Sequence, residues 1–183
     1  MGTAEQAVAD TRRWLERAVI GLNLCPFAKA VLVKGQVHIV ATTADDAQGI
    51  LADFTSELDA LVALEASERD TTLLVVAQGM ADFLAFNDLV GRAERIVRKR
   101  GLEGVVQVAH FHPQFVFEGT EEDDITNATN RAPHPVLHLL REESIDRAVA
   151  AFPDASVIYE ANTETLRRLG HAGWDALDVG AKR

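Results

Sequence analysis

The residues best equipped for chemistry are concentrated between Val105 and Arg141. This stretch holds His110, His112, His134 and His138, four of the six histidines in the 183-residue chain, with Arg131, Arg141 and the acidic run Glu121-Glu122-Asp123-Asp124. If residues 105–112 form a strand, period-two alternation puts Val106, Val108, His110 and His112 on one face and Gln107, Ala109 and Phe111 on the other. Two imidazoles then project together where Pro113 ends the pairing, and strand ends are where open α/β sheets bind ligands. Such a pair chelates a transition metal if further ligands arrive, and Asp123, Asp124, His134 and His138 are the nearest in sequence. The alternative is two imidazoles hydrogen-bonded at a loop junction.

Asn127, Asn130, Arg131 and Arg141 add amides and guanidinium groups, whose paired donors suit a carboxylate or phosphate. The same residues also serve turns, or ion pairs with Glu142 and Glu143. His138, on a strand over residues 136–140, shares a face with Val136 and Leu140, so each ring nitrogen needs a partner in an apolar setting. There it is either satisfied structurally or acts as a neutral-pH acid or base. Cys25 precedes Pro26, which suits a first helical position, so the thiol is expected at the N-cap of a short helical turn. The helix dipole would favour thiolate there, as nucleophile or ligand. Its bland alternative is a small buried hydrophobe between Leu24 and Phe27.

These groups need a scaffold, and hydrophobic spacing supplies one. Val8, Trp14, Leu15, Ala18, Val19 and Leu22 predict an amphipathic first helix over residues 4–22. Residues 36–42 read as a strand, with residues 31–33 pairing to it across a Lys34-Gly35 turn. Thr43-Ala44-Asp45-Asp46 resembles a capping box opening a helix to about Leu64, and the apolar run over residues 71–77 is expected of a central strand. Asp82 caps a long helix that ends at Arg98-Lys99-Arg100 and Gly101. After the strand over residues 105–110, Thr120 has the spacing of a helix start. Residues 136–140 form a strand, residues 142–152 a helix stopped by Pro153, and residues 155–169 a helix closed by Gly170. The expected fold is α/β: a single domain with a mixed sheet of about four or five strands and helices packed on it. Alternating strand and helix in the middle of the chain implies parallel pairing through right-handed crossovers.

With 28 acidic against 18 basic side chains, a net charge of −10 and 48% hydrophobic residues, the chain suits one well-cored domain and disfavours nucleic acid and anionic membrane as partners. It has no apolar run of the roughly 20 residues a membrane span needs and no basic leader before an apolar segment, so a cytoplasmic location is expected. A single cysteine excludes an internal disulfide. The glycines form no phosphate-binding fingerprint, and there is no Gly-x-Ser-x-Gly elbow.

Ile20-Gly21-Leu22-Asn23-Leu24-Cys25-Pro26-Phe27-Ala28, with Phe111-His112-Pro113, Thr129-Asn130-Arg131 and His138-Leu139-Leu140-Arg141-Glu142-Glu143-Ser144, resembles an uncharacterised bacterial domain-of-unknown-function family over nearly the whole chain. The resemblance implies a bacterial, stand-alone, cytosolic domain and no particular activity. It favours His112 and His138 as the informative pair.

Three functions follow as expectations. The first is a small-molecule enzyme whose pocket gathers Cys25, His112 and His138, with Asn127, Asn130, Arg131 and Arg141 holding an anionic substrate. The second is a metal-dependent hydrolase using His110 and His112 with Asp123 or Asp124. The third is a non-enzymatic ligand- or partner-binding module. The sequence assigns no cofactor. A small-molecule ligand is the expected partner, and assembly as a homodimer is left open.

Overall fold

The computed structural model describes residues 3–152 and 154–180. Its centre is β2 (Thr71–Val76), a Thr-Thr-Leu-Leu-Val-Val run in which every residue is buried, as a strand covered on both faces must be. β1 (Val37–Thr42) pairs parallel to it, with Ile39 opposite Leu73. On its other side lies β4 (Val136–Arg141), antiparallel, with His138 opposite Leu73. β3 (Val106–Phe111) then pairs antiparallel to β4, giving one mixed four-stranded sheet in the order β1-β2-β4-β3.

The parallel pairing expected between β2 and β3 therefore does not form. The two run in the same direction, but β4 fills the place between them. Val136, Leu137 and Leu139 of β4 are all fully buried, and only an interior position covers both faces of such a strand.

Helices α3 (Ala47–Ala63) and α4 (Phe83–Lys99) cover one face of the sheet. Ile50, Phe54, Leu58, Phe86, Leu89 and Ala93 pack there on Leu74, Val76, Leu137 and Leu139. Each such apolar side chain contributes about 1.5–3 kcal/mol by burial. Asp82 caps α4 by accepting from Ala85 N at 2.7 Å. Past its end, Leu102 N donates to Val97 O and Gly101 takes the left-handed conformation (φ 70°), as the sequence indicates. For α3 the cap is Asp46, which accepts from Gly49 N, rather than Thr43. The preceding Thr42 ends β1 and donates to Asp53 Oδ2 at 2.5 Å, so the turn runs on to Asp46.

The other face carries α1 (Thr3–Trp14), a π-helical turn (Leu15–Ile20) and α2 (Ala28–Val33). Trp14, Leu15 and Ala18 pack there on Leu73, Val75 and Val136. The expected first helix thus changes pitch midway: Gly21 N donates to Glu16 O, five residues back, at 3.0 Å. This widened turn brings the chain so close to itself that a Cβ on Gly21 would lie 2.2 Å from Arg17 O, so only glycine fits.

Residues 31–33 are helical, not a strand. Gly35 N donates to Leu32 O and Gln36 N to Val31 O, so Lys34-Gly35 is a helix terminator of the same kind as Arg100-Gly101. Near the other end of the chain, the helix expected from Thr120 starts later, as a 3-10 helix (Ile125–Asn130) capped by Asp124. Thr120 Oγ1 is occupied by Asn127 Oδ1, 2.8 Å away.

Helix α5 (Glu142–Ala151) follows β4 without a loop, and Pro153, expected to stop it, lies outside the described residues. Helix α6 (Ala155–Ala176) breaks at Gly170 (φ 65°, ψ 177°) as expected, but resumes so that Trp174 packs beside Leu24 and Leu166. Among the described residues no helix is long and apolar enough to cross a membrane.

Candidate functional site

The sheet itself divides the residues singled out in the sequence. Alternation along β3 and β4 sends His110 and Arg141 toward α3 and α4, and sends Phe111 and His138 toward α1. His112 follows His110 to the α4 side. Cys25 and His138 line one cavity on the α1 side, whereas His112, Arg131 and Arg141 are not part of its wall. The expected meeting of Cys25, His112 and His138 in one pocket is thus replaced by a smaller group.

His112 is fully buried and has no valence left for chemistry. Gln114 N donates to its Nδ1 at 3.0 Å, which assigns the remaining proton to Nε2, 2.9 Å from Met80 O. Burial pushes its pKa down despite the Met80 carbonyl and Asp82, so the ring stays neutral with both nitrogens committed. His110 packs between Phe86 and Phe115, at centroid distances of 6.1 and 5.7 Å, and burial lowers its pKa too. Among the described residues no group of three or more His, Cys, Asp and Glu side chains converges as a metal site, so neither Asp123 nor Asp124 completes one with this pair. Asp124 instead accepts from the backbone and side chain of Thr126, which holds its carboxyl below the usual range.

The residues expected to bind an anion are committed to the scaffold. Arg141 donates to three carbonyls at the exit from α3, those of Leu61, Leu64 and Arg69, at 2.7–2.8 Å. Arg131 donates to Phe115 O and Glu122 O, stapling the loop after β3, and burial lowers its pKa. The shallow recess beside Arg131 is lined also by Glu121, Glu122 and Asp123, the wrong sign for an anion. Asn127 is fully buried, accepts from Phe117 N and donates to Glu121 O. Asn130 donates to His110 O at 3.3 Å. His134 meets Asp10 at 3.2 Å. Burial works to raise the Asp10 pKa, but hydrogen bonds from Arg13, Gln6 and His134 prevail and lower it.

What remains is a cavity of about 330 Å³ between the sheet, the π turn, α2 and α5, within the roughly 300–1,000 Å³ of small-molecule sites. Leu73, Phe111 and Leu140 line its sheet side and Trp14 reaches it from the end of α1, while Ile145 and Val149 of α5 and Phe152 just past that helix close it. It lies against the starts of β1 and β2, where Val37 and Thr71 enter, and is lined too by Phe111 at the end of β3 and Leu140 near the end of β4.

Cys25 is half-buried and free. It is not an N-cap: Phe27 occupies that position of α2, and Cys25 contributes only its carbonyl, to Ala28 N. Pro26 delays the helix without opening it. The turn holding the thiol is fixed from three sides, by Leu24 N on Val19 O, by Asn162 Nδ2 on Leu24 O at 2.9 Å, and by the left-handed Asn23 (φ 54°).

His138 is the one imidazole of the site. Thr71 Oγ1 donates to Leu139 O at 2.7 Å, so its 2.6 Å contact with His138 Nε2 is one in which the ring donates. Nδ1 therefore carries the lone pair. Burial pushes the His138 pKa down to about 4, so the ring is neutral at pH 7. At the rim, Ser144 Oγ donates to Asp70 Oδ1 at 2.5 Å. Sequence reasoning missed Thr71, Trp14, Phe111, Asp70 and Ser144. Two hydroxyls opening an apolar strand were the available signal for Thr71, and the others, drawn from α1, β3, α5 and the turn before β2, become neighbours only in the folded chain.

No curated protein and no solved structure matches the chain. The model of one family matches residues 6–176, and the chain belongs to that family, Protein of unknown function (DUF1415).

Proposed function

We propose that the protein binds a small, largely apolar molecule in the cavity between the sheet and α5, in the cytoplasm. The observation that carries this reading is an apolar hollow of ligand size with a free thiol and a single imidazole among its lining residues, the pairing of an apolar wall with few polar groups that marks small-molecule sites. The arginines give no support to an anionic substrate, since their guanidinium groups already donate to backbone carbonyls. Cytoplasmic residence is supported by the free thiol and the absence of a membrane-crossing helix among the described residues.

A second reading, an enzyme working through Cys25, is favoured by the thiol and the His138 imidazole lining the same cavity. In it Cys25 attacks the substrate as nucleophile. His138, at a pKa of about 4, orients a substrate hydrogen and is too weak a base to ionise the thiol. The single cysteine makes the test direct. An apolar maleimide labels Cys25, and saturating apolar ligands from a small-molecule panel slow that labelling several-fold. Labelling unaffected by every panel member removes the binding reading. Turnover of a bound compound that disappears in Cys25→Ser converts binding into catalysis.

A further inference from the structure

We propose that α5, from Ile145 onward to Phe152 just past its end, is a lid that the ligand itself sets in place: loosely held over the empty cavity and fixed once the cavity is filled. The proposal rests on the binding reading above and adds how that site is regulated.

A helix of ten residues is marginal in water and depends on packing along one face. In α5 that face is Ile145, Ala148 and Val149, and all three line the cavity. Space lies beneath them where α3 and α4 have a packed sheet. Among the described residues no α5 side chain belongs to the packed clusters on either face of the sheet, and Val149 stays 49% exposed.

The two ends of the helix are held unequally. At the start, Glu142 N donates to Val105 O at 2.9 Å, which carries the pairing of β3 with β4 into the first helical residue. Ser144 Oγ donates to Asp70 Oδ1 and receives Arg147 at 3.0 Å, so the first turn is tied to the segment entering β2. At the other end stands one aromatic contact, the Phe152 ring edge-on to that of Phe27 with 5.5 Å between centroids, and both rings line the cavity. A single edge-to-face pair is a small share of what five buried side chains give α4. A helix pinned at its first turn and weakly held beyond it opens locally, about that turn, without unfolding the sheet.

A ligand supplies the missing packing partner. An apolar body in the hollow meets Ile145, Ala148 and Val149 from below, as the sheet meets α4, so binding and ordering of the lid are coupled. The same movement sets access to Cys25 and His138, which line the cavity that the lid covers.

Amide hydrogen exchange of the full chain at pH 7 tests this, with 1-octanol, 2-octanone and indole as probes and calorimetry to establish binding of each. Without a probe, the amides of residues 146–152 are expected to exchange at least about 100-fold faster than the slowest amides of α4, which open only with the whole fold. At about ten times a probe's Kd they should slow about tenfold, because opening the lid then has to release the probe. Exchange in α5 as slow as in α4 before any probe is added overturns the lid and leaves the binding cavity in place, and so does a probe that binds without slowing α5. Failure of all three probes to bind overturns both readings. Ala148→Leu supplies the packing from the chain itself. In that variant, without a probe, exchange in α5 should slow about threefold, and unchanged exchange would mean that the hollow is not what loosens the helix.

Discussion

On one face of the sheet, Phe54, Leu58 and Phe86 are fully buried against Leu74, Val76 and Leu137, leaving a sealed core. On the other, Ile145, Val149 and Phe152 reach toward Leu73 and His138 and stop short, leaving about 330 Å³. The side chains are of the same kinds, so hydrophobicity does not account for the contrast. Connection does. Helices α3 and α4 are entered through loops, start at an aspartate cap, and can settle onto the sheet. Helix α5 begins at the residue after β4, with no side-chain cap, and none of its described residues is buried. Its first turn is fixed by the strand, which holds the rest of the helix off the surface below.

Truncation tests the contrast most strongly. Phe86→Ala should cost about 3–5 kcal/mol in urea unfolding, because it opens a void in a packed core. Phe152→Ala, at a residue 42% exposed, should cost under about 1 kcal/mol. Equal losses would mean that the two faces are packed alike.

Arg141→Ala comes next, at about 3 kcal/mol by the same measurement, since charge-assisted hydrogen bonds to the exit of α3 are lost. If Arg141 bound a ligand instead, the variant would unfold normally and lose affinity.

Acid probes the other face. Unfolded, the His138 imidazole has its ordinary pKa of 6.5; folded, it lies at about 4. Above pH 6.5 both states are neutral and the stability is whole. As pH falls from about 6.5 to about 4, the unfolded chain takes up the proton first, so stability declines by up to about 3 kcal/mol. His38, His110 and His112, also shifted down, act in the same direction. Urea midpoints against pH should slope less in His138→Asn, and an unchanged slope would mean that the ring is not shielded.

The smallest effect on stability, and the most selective, is expected of Ala148→Leu. Ala148 lines the cavity from α5, so a larger side chain fills space without displacing core, changing stability by under about 1 kcal/mol and abolishing ligand binding. Retained binding would place the ligand elsewhere.

The same contrast explains what could be read from the sequence. Helix α4 was legible at both ends because Asp82 and Gly101 flank a long apolar period. Helix α2 ends in the same lysine-or-arginine and glycine pair, yet at six residues it is too short for periodicity to reveal, and its valines suggest a strand. The site divides in the same way. His138 stood out as a polar residue in an apolar strand, but Thr71 lies 67 positions away and becomes its partner only through the register of β2 on β4. His110 and His112 attracted attention by adjacency in sequence, and that adjacency was real; their surroundings, Phe86, Phe115 and a carbonyl from residue 80, were not encoded locally.

The insertion of β4 between β2 and β3 also sets a timetable. During synthesis β1 and β2 can pair as soon as both have emerged, whereas β3 waits without a neighbour until residues 136–141 arrive to close the sheet from within. His138 travels on that closing strand. His138, its threonine partner and the helix that roofs them therefore come together only after residues 136–151 have been made, and a ligand that needs all three would not recognise a shorter nascent chain.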